Sequence, residues 1–139
     1  MSLLTEYTQQ DTMRIEKKGI NNQRNHREMR KIVTLKKNEE MALRALKKAL
    51  SKNFHLTDFR LFGSKARGDD TPDSDIDVMI ELAELSPAIE SKIYDLVFAI
   101  NLKYDSFISV IIFSKKEIEE GPMSESPIYR VIQSEGIPL

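Results

Sequence analysis

The sequence predicts an α+β domain, in which a small mixed sheet of about three strands packs against helices that lie chiefly on one face. Two observations support this class. Apolar residues recur at helical spacing in several segments, and short runs of β-branched and aromatic residues lie between those segments. In chain order the predicted elements are helix, strand, helix, strand, helix, strand and helix.

Two long helices are predicted. The first covers residues 35–52, and its core-facing stripe consists of Met41, Leu43, Leu46, Ala49 and Leu50. The second begins at Ser86-Pro87, because proline is favoured in the first turn of a helix. Its buried stripe consists of Ile89, Ile93, Leu96, Val97 and Ile100. Shorter helices are predicted to begin at Ser114 and Ser126, which have the residue types of helix N-caps.

Three strands are predicted from the β-branched and aromatic runs. The first covers residues 59–62 and follows a turn at residues 53–57. The second carries Asp75 and Asp77 and continues to Leu82. The third covers residues 106–113. The segment before residue 35 shows no sustained periodicity, so residues 1–34 are predicted to be a helical and polar extension of a domain at residues 35–139.

Composition limits the functional classes. The chain has 139 residues, of which 40% are hydrophobic and 31% are charged, as in soluble globular proteins. It contains no cysteine, which excludes disulfides and thiolate metal sites. No secretion signal or membrane-length apolar run is visible. These features predict a cytoplasmic protein.

The charges are distributed unevenly along the chain. Residues 1–60 contain 14 Lys and Arg against 7 Asp and Glu, whereas residues 61–139 contain 7 against 15. The basic half has two interpretations: a solvated helical surface, or a nucleic-acid-binding surface within residues 14–52. The first is favoured, because no aromatic residue is interleaved with the charges after Tyr7.

The most informative stretch is 59–82, where two carboxylates lie two residues apart. Alternate residues of a strand point to the same face, so Asp75 and Asp77 are expected to project together, opposite Ile76, Val78 and Ile80. Adjacent carboxylates repel each other unless a cation lies between them. Oxygen ligands of this kind suit Mg²⁺, which usually binds one or two carboxylates and completes its shell with water and phosphates.

A candidate phosphate site precedes the carboxylates. Gly63 and Ser64 follow the first strand, where backbone N–H groups and a hydroxyl can receive a phosphate. Lys65 and Arg67 come next and could meet a triphosphate. Arg67 has an equally supported alternative, an ion pair with an aspartate of the following loop. That loop contains Asp69, Asp70 and Asp73.

Gly63-Ser64, ten intervening residues and Asp75-Ile76-Asp77 together resemble the signature of the minimal nucleotidyltransferases of the DNA polymerase β superfamily. Further residues agree with that signature, namely Ala66, Arg67, Gly68 and Ser74. The resemblance is densest over residues 59–82. It implies the nucleotidyltransferase fold and a reaction that moves a nucleoside monophosphate, with AMP from ATP as the expected case, to an acceptor hydroxyl.

The resemblance also assigns roles to residues and implies partners. Asp75 and Asp77 would be the catalytic, Mg²⁺-binding carboxylates, and Gly63, Ser64, Lys65 and Arg67 would bind the nucleotide. Small proteins of this kind resemble the antitoxins of toxin–antitoxin pairs, whose partner is a HEPN-type ribonuclease. The acceptor would then be a hydroxyl of that partner, such as the hydroxyl of a tyrosine.

The sequence departs from the family pattern on the third strand. Active members commonly carry a third carboxylate there, but the aligned position is Ser109. Asp105 could substitute only in a different register, and Glu81 lies roughly 13 Å from Asp77, and farther from Asp75, along an extended strand. A catalytically degenerate module that only binds its partner is therefore the alternative to an enzyme.

Overall fold

A computed structural model describes residues 35–139, so the predicted extension 1–34 lies outside the described residues. The helices are α1 (Lys37–Asn53), α2 (Gly63–Arg67), α3 (Pro87–Tyr104), α4 (Lys115–Glu120) and α5 (Pro127–Glu135), with one 3₁₀ turn at Pro122–Glu125. The strands are β1 (Leu56–Phe62), β2 (Ile76–Leu82), β3 (Ile108–Ser114) and β4 (Ile137–Pro138). The predicted alternation of helices and strands is confirmed for this part of the chain.

The four strands form one mixed sheet in the order β3-β2-β1-β4. Strand β2 pairs antiparallel with β1 and parallel with β3, so the predicted mixed sheet is confirmed. The short strand β4 is an addition to the three predicted ones. It forms through antiparallel pairing of Leu61 with Ile137 and of Arg60 with Pro138. Two residues are too few to show an alternating pattern in the sequence.

The main core lies between the sheet and the helices α1 and α3. Ile76, Val78, Ile80 and Leu82 of β2 are fully buried on that face. A smaller cluster of Met79, Phe113 and Ile132 lies on the other face, with Ile118 of α4 and Tyr129 of α5 packed against it. Helices therefore cover parts of both faces, which corrects the expectation that they lie chiefly on one.

Two strand boundaries differ from prediction for identifiable reasons. Strand β1 begins at Leu56, not at residue 59, because Leu56 and Asp58 pair with the end of β2. Strand β3 begins at Ile108, not at residue 106. The side-chain amide of Asn101 bonds both backbone groups of Ile108, and its oxygen also accepts a hydrogen bond from the Ser106 hydroxyl. Ser106 therefore belongs to the α3–β3 connection.

Each of the three serines predicted to begin a helix lies directly before one. Ser86 Oγ accepts a hydrogen bond from the Ile89 amide at 3.2 Å, and Ser114 Oγ accepts one from the Glu117 amide at 3.0 Å. Ser126 lies directly before α5 but makes no side-chain capping bond. Among the described residues, no helix combines the length and the apolar character that a membrane span requires.

Candidate active site

Gly63 and Asp77 are in direct contact at the junction of β1 and α2. Asp77 pairs with Phe62 across the two strands, which brings its side chain to the first residue of α2. A Cβ atom placed on Gly63 would lie 2.4 Å from Asp77 Oδ2. Gly63 also has a φ of +75°, a conformation that residues with side chains rarely adopt. Glycine is therefore required here both by the backbone conformation and by the neighbouring carboxylate.

The two aspartates lie at the start of β2. Asp75 is exposed and precedes the strand, while Asp77 is half-buried and lies within it. The buried Ile76 between them points into the main core, so Asp77 is on the opposite face, as predicted. Burial raises the pKa of Asp77, and the negative charge of Asp75 raises this pKa further. The charges of the two carboxylates therefore act on each other across the start of β2.

The raised pKa of Asp77 predicts a pH-dependent effect on the stability of the metal-free protein. A carboxyl group with a raised folded pKa favours the folded state at low pH. This contribution is fully present below the unfolded pKa and is lost as the pH rises through the folded pKa. We expect Asp77→Asn to raise the melting temperature at neutral pH without metal, and the gain to disappear below the unfolded pKa, about 3.9. Thermal unfolding across this pH range tests the expectation. A gain that is equal at all pH values would contradict it.

Ser109 occupies the position beside Asp77 on the parallel neighbouring strand. The register pairs Asp77 directly with Ser109, so the sequence alignment of Ser109 with the usual third carboxylate is consistent with the structure. Asp105 lies at the end of α3 in a left-handed conformation, and the Glu81 carboxylate accepts a 2.6 Å hydrogen bond from Thr57. Within residues 35–139, no group of three or more His, Cys, Asp or Glu residues could hold a metal ion. The donor set fits one oxygen-ligated cation held by two carboxylates.

Arg67 lies beside the carboxylates and forms two ion pairs. Its Nε is 3.2 Å from Asp69 Oδ2, and its Nη1 is 3.2 Å from Glu135 Oε1 on α5. The side chain is 48% exposed, so it remains accessible to a ligand. Its positive charge partly offsets the raised pKa of Asp77. The contact with Glu135, 68 residues away, could not be foreseen from spacing, whereas Asp69 was one of the predicted alternatives.

Lys65 has a different environment from the one that a phosphate ligand requires. Its side chain is 1% exposed, and its Nζ lies 3.4 Å from both Glu39 Oε1 of α1 and Asp70 Oδ2 of the loop before β2. Glu39 also accepts a hydrogen bond from the Lys36 amide at the start of α1. This burial argues against the predicted role of Lys65 as a nucleotide ligand. Lys65 instead links α2, α1 and the loop that leads to Asp75.

Ser64 is the second residue of α2 and is half-buried. The N–H groups in the first turn of a helix have no partner within the helix, so the start of α2 offers donors beside the Asp77 carboxylate. Donors for phosphate next to paired carboxylates for a metal ion are the two requirements of nucleotidyl transfer from a triphosphate. The fold and the site together are therefore those of a nucleotidyltransferase.

The chain belongs to the nucleotidyltransferase domain family. The family model described as "Nucleotidyltransferase domain" matches residues 43–134, which include all the site residues named above except Glu39 and Glu135. Glu39 lies just before the matched range and Glu135 just after it. The family membership supports nucleotidyl transfer as the general chemistry, and it confirms the resemblance of the sequence to nucleotidyltransferases.

Two individual proteins are similar to this chain. A Methanocaldococcus jannaschii protein named "Putative protein adenylyltransferase MJ0141" is 43% identical over 72 residues, covering 51% of this chain and 72% of the relative. A crystal structure titled as a "putative nucleotidyltransferase" from Sulfolobus solfataricus aligns with a TM-score of 0.43 at 21% identity, covering 75% of this chain and 86% of the other. The second similarity is too remote to support an argument.

Proposed function

We propose that this protein transfers AMP from ATP to a hydroxyl group of a protein acceptor and releases pyrophosphate. The observation that carries the proposal is the Asp77 carboxylate, which lies directly against Gly63 at the start of α2 and close to Asp75. Family membership supports the nucleotidyl transfer. The name of the M. jannaschii relative supports adenylate as the group and protein as the acceptor.

The residues of the site have separable roles in this reaction. Asp75 and Asp77 would hold Mg²⁺, which when bound neutralises charge on the phosphates. The backbone N–H groups at Gly63 and Ser64 would bind the β- and γ-phosphates, and Arg67 would turn from Glu135 towards them. Because the Arg67 side chain is half exposed, this exchange needs no change in the core.

The chemistry forms one bond and breaks one. The acceptor oxygen bonds to the α-phosphorus of ATP, and the bond from that phosphorus to the bridging oxygen breaks. Pyrophosphate leaves with the bridging oxygen. The hydroxyl proton passes to water or to a base on the acceptor, because Ser109 is a poor base at the position of the usual third carboxylate. A HEPN-type ribonuclease with an accessible tyrosine would be such an acceptor.

Calorimetric titration of ATP with and without Mg²⁺ is the first test. We expect Mg²⁺-dependent binding that is lost in Asp75→Asn/Asp77→Asn. Asp73→Asn is the matched control, since it removes one exposed carboxylate from the same loop. Incubation with α-labelled ATP and a HEPN-type partner should then label the partner. No binding at millimolar ATP by the folded wild type would overturn a stand-alone enzyme.

Ser109 favours a second candidate, a degenerate module that binds its partner without catalysis. The variant Ser109→Asp separates the two, because it places a third carboxylate beside Asp77. We expect about tenfold tighter Mg²⁺ binding, since affinity rises with the charge of the ligand set, and faster transfer of label if the protein is an enzyme. Ser109→Asn is the uncharged control. If Ser109→Asp binds Mg²⁺ more tightly but neither this variant nor the wild type transfers label, the result would support the partner-binding module.

A further inference from the structure

Helix α3 is apolar on two opposite faces. Ile93, Val97 and Ile100 are buried against the sheet. On the outer face, Tyr94, Phe98 and Leu102 are spaced by four residues, so they form one stripe along the helix, here called the α3 stripe. Their exposed fractions are 48%, 66% and 69%. A solvated helix face is normally charged, and a helix that is apolar all round is normally buried.

The exposed surface is large for a monomer. Phe107 follows the C-terminal end of α3 and is 69% exposed. With roughly 150–250 Å² for one large side chain, Phe107 and the α3 stripe expose on the order of 500 Å². This is the size of the largest apolar patch on a typical soluble monomer, a patch that is often functional. No other part of residues 35–139 covers it.

We propose that the α3 stripe is a homodimer interface in which two copies of α3 pack antiparallel about a twofold axis at Phe98. The stripe suits this symmetry because Tyr94 and Leu102 lie at equal distances on either side of Phe98. The axis therefore sets Phe98 against its own copy and Tyr94 against Leu102 of the other copy. Two such patches bury about 1,000 Å² together, which is at the lower limit for a specific interface.

The charges beside the stripe are complementary in the same arrangement. Asp95 and Lys103 are both exposed and lie on the same side of the stripe, towards its opposite ends. Antiparallel packing turns the second helix end for end, so Asp95 of each copy lies near Lys103 of the other. The twofold axis produces this pair twice. A parallel arrangement would instead place these charges of the two copies on opposite sides of the stripe, so that they form no pairs.

Sedimentation equilibrium of the full chain over a range of concentrations tests the interface. The wild type should approach twice the chain mass of 16.0 kDa. Phe98→Asp and Leu102→Asp should each return it to the monomer mass, and both should keep the fold because their side chains are exposed. Met123→Asp is the control, since it removes an exposed apolar side chain outside α3. A monomeric wild type, or a dimer insensitive to Phe98→Asp, would overturn the proposal.

Charge exchange tests the antiparallel arrangement. Asp95→Lys and Lys103→Asp should each raise the dimer dissociation constant about tenfold, because each change creates two repulsive contacts. The double variant Asp95→Lys/Lys103→Asp should restore the wild-type constant. Failure of this restoration would overturn the arrangement. A monomer whose α3 is protected from hydrogen exchange by residues 1–34 or by a different protein would assign the stripe to that occupant and overturn the dimer.

Discussion

Replacing Gly63 by alanine should remove nucleotide binding and destabilise the fold, because the new Cβ would lie 2.4 Å from Asp77 Oδ2. Rotation of the Asp77 carboxylate alone cannot relieve this contact, because Cγ and Cβ of Asp77 also lie only 3.2 and 3.3 Å from the added Cβ. The Asp77 carboxylate must therefore move away from the start of α2. We expect Mg²⁺-dependent ATP binding to weaken by two orders of magnitude, and the free energy of unfolding to fall by about 2–4 kcal/mol.

Gly68→Ala is a closely matched control. Gly68 has a φ of +83° but no heavy atom within 4 Å of an added Cβ, so alanine there carries the backbone strain without the collision. The difference between Gly63→Ala and Gly68→Ala in urea unfolding isolates the contact with Asp77. A second background, Asp77→Ala, should reduce the cost of Gly63→Ala. If the two glycine variants behave alike in binding and stability, the close approach of Gly63 and Asp77 is not what positions the carboxylate.

Lys65→Met should be the most destabilising single change in the site. It removes the cation from between Glu39 and Asp70, which are 8% and 13% exposed, and leaves two carboxylates without their partner. Removing one member of a buried ion pair costs about 3–5 kcal/mol. The measurement is the free energy of unfolding in urea. The loop that leads to Asp75 should also lose its link to α2, so ATP binding should weaken.

The matched comparison removes all three charges. Glu39→Gln/Lys65→Met/Asp70→Asn leaves no uncompensated charge, so it should recover much of the stability lost in Lys65→Met. Arg67→Met is the exposed control, and it should change stability by less than about 1 kcal/mol because surface ion pairs contribute little. Should Lys65→Met weaken ATP binding without loss of stability, Lys65 would be a nucleotide ligand after all and not a positioning residue.

The sequence predicted the class of fold because its signals are local. Apolar spacing within a helix and β-branched runs within a strand do not depend on distant residues, so α1, α3 and the three longer strands were found within a few residues of their ends. Strand β4 was missed because a strand of two residues exists only through its pairing with β1. The helices α4 and α5 were predicted, but not the face of the sheet that they cover, since α5 is placed by contacts with Met79 and Phe113.

Some residues of the candidate site could likewise be predicted from local sequence, and others could not. Asp75, Asp77 and Gly63 could be placed from the sequence, because strand alternation and one short motif fix their relative positions, and Ser109 could be placed by alignment with the family pattern. The structure pairs Asp77 with Ser109 as that reasoning required. Lys65 and Arg67 follow the motif equally closely, yet one is buried and the other is half exposed. Residue type alone could not separate them.

The sequence by itself predicted the candidate residues for nucleotidyl transfer, because carboxylate spacing within one strand and the chemistry of one turn are local. Its resemblance to the family indicated the absence of the usual third carboxylate. Only the tertiary structure decided which cation faces the solvent. Lys65 meets Glu39 and Arg67 meets Glu135 across 26 and 68 residues of chain. Such contacts follow from the packing of α1 and α5 against α2, and no local pattern in the sequence encodes that packing.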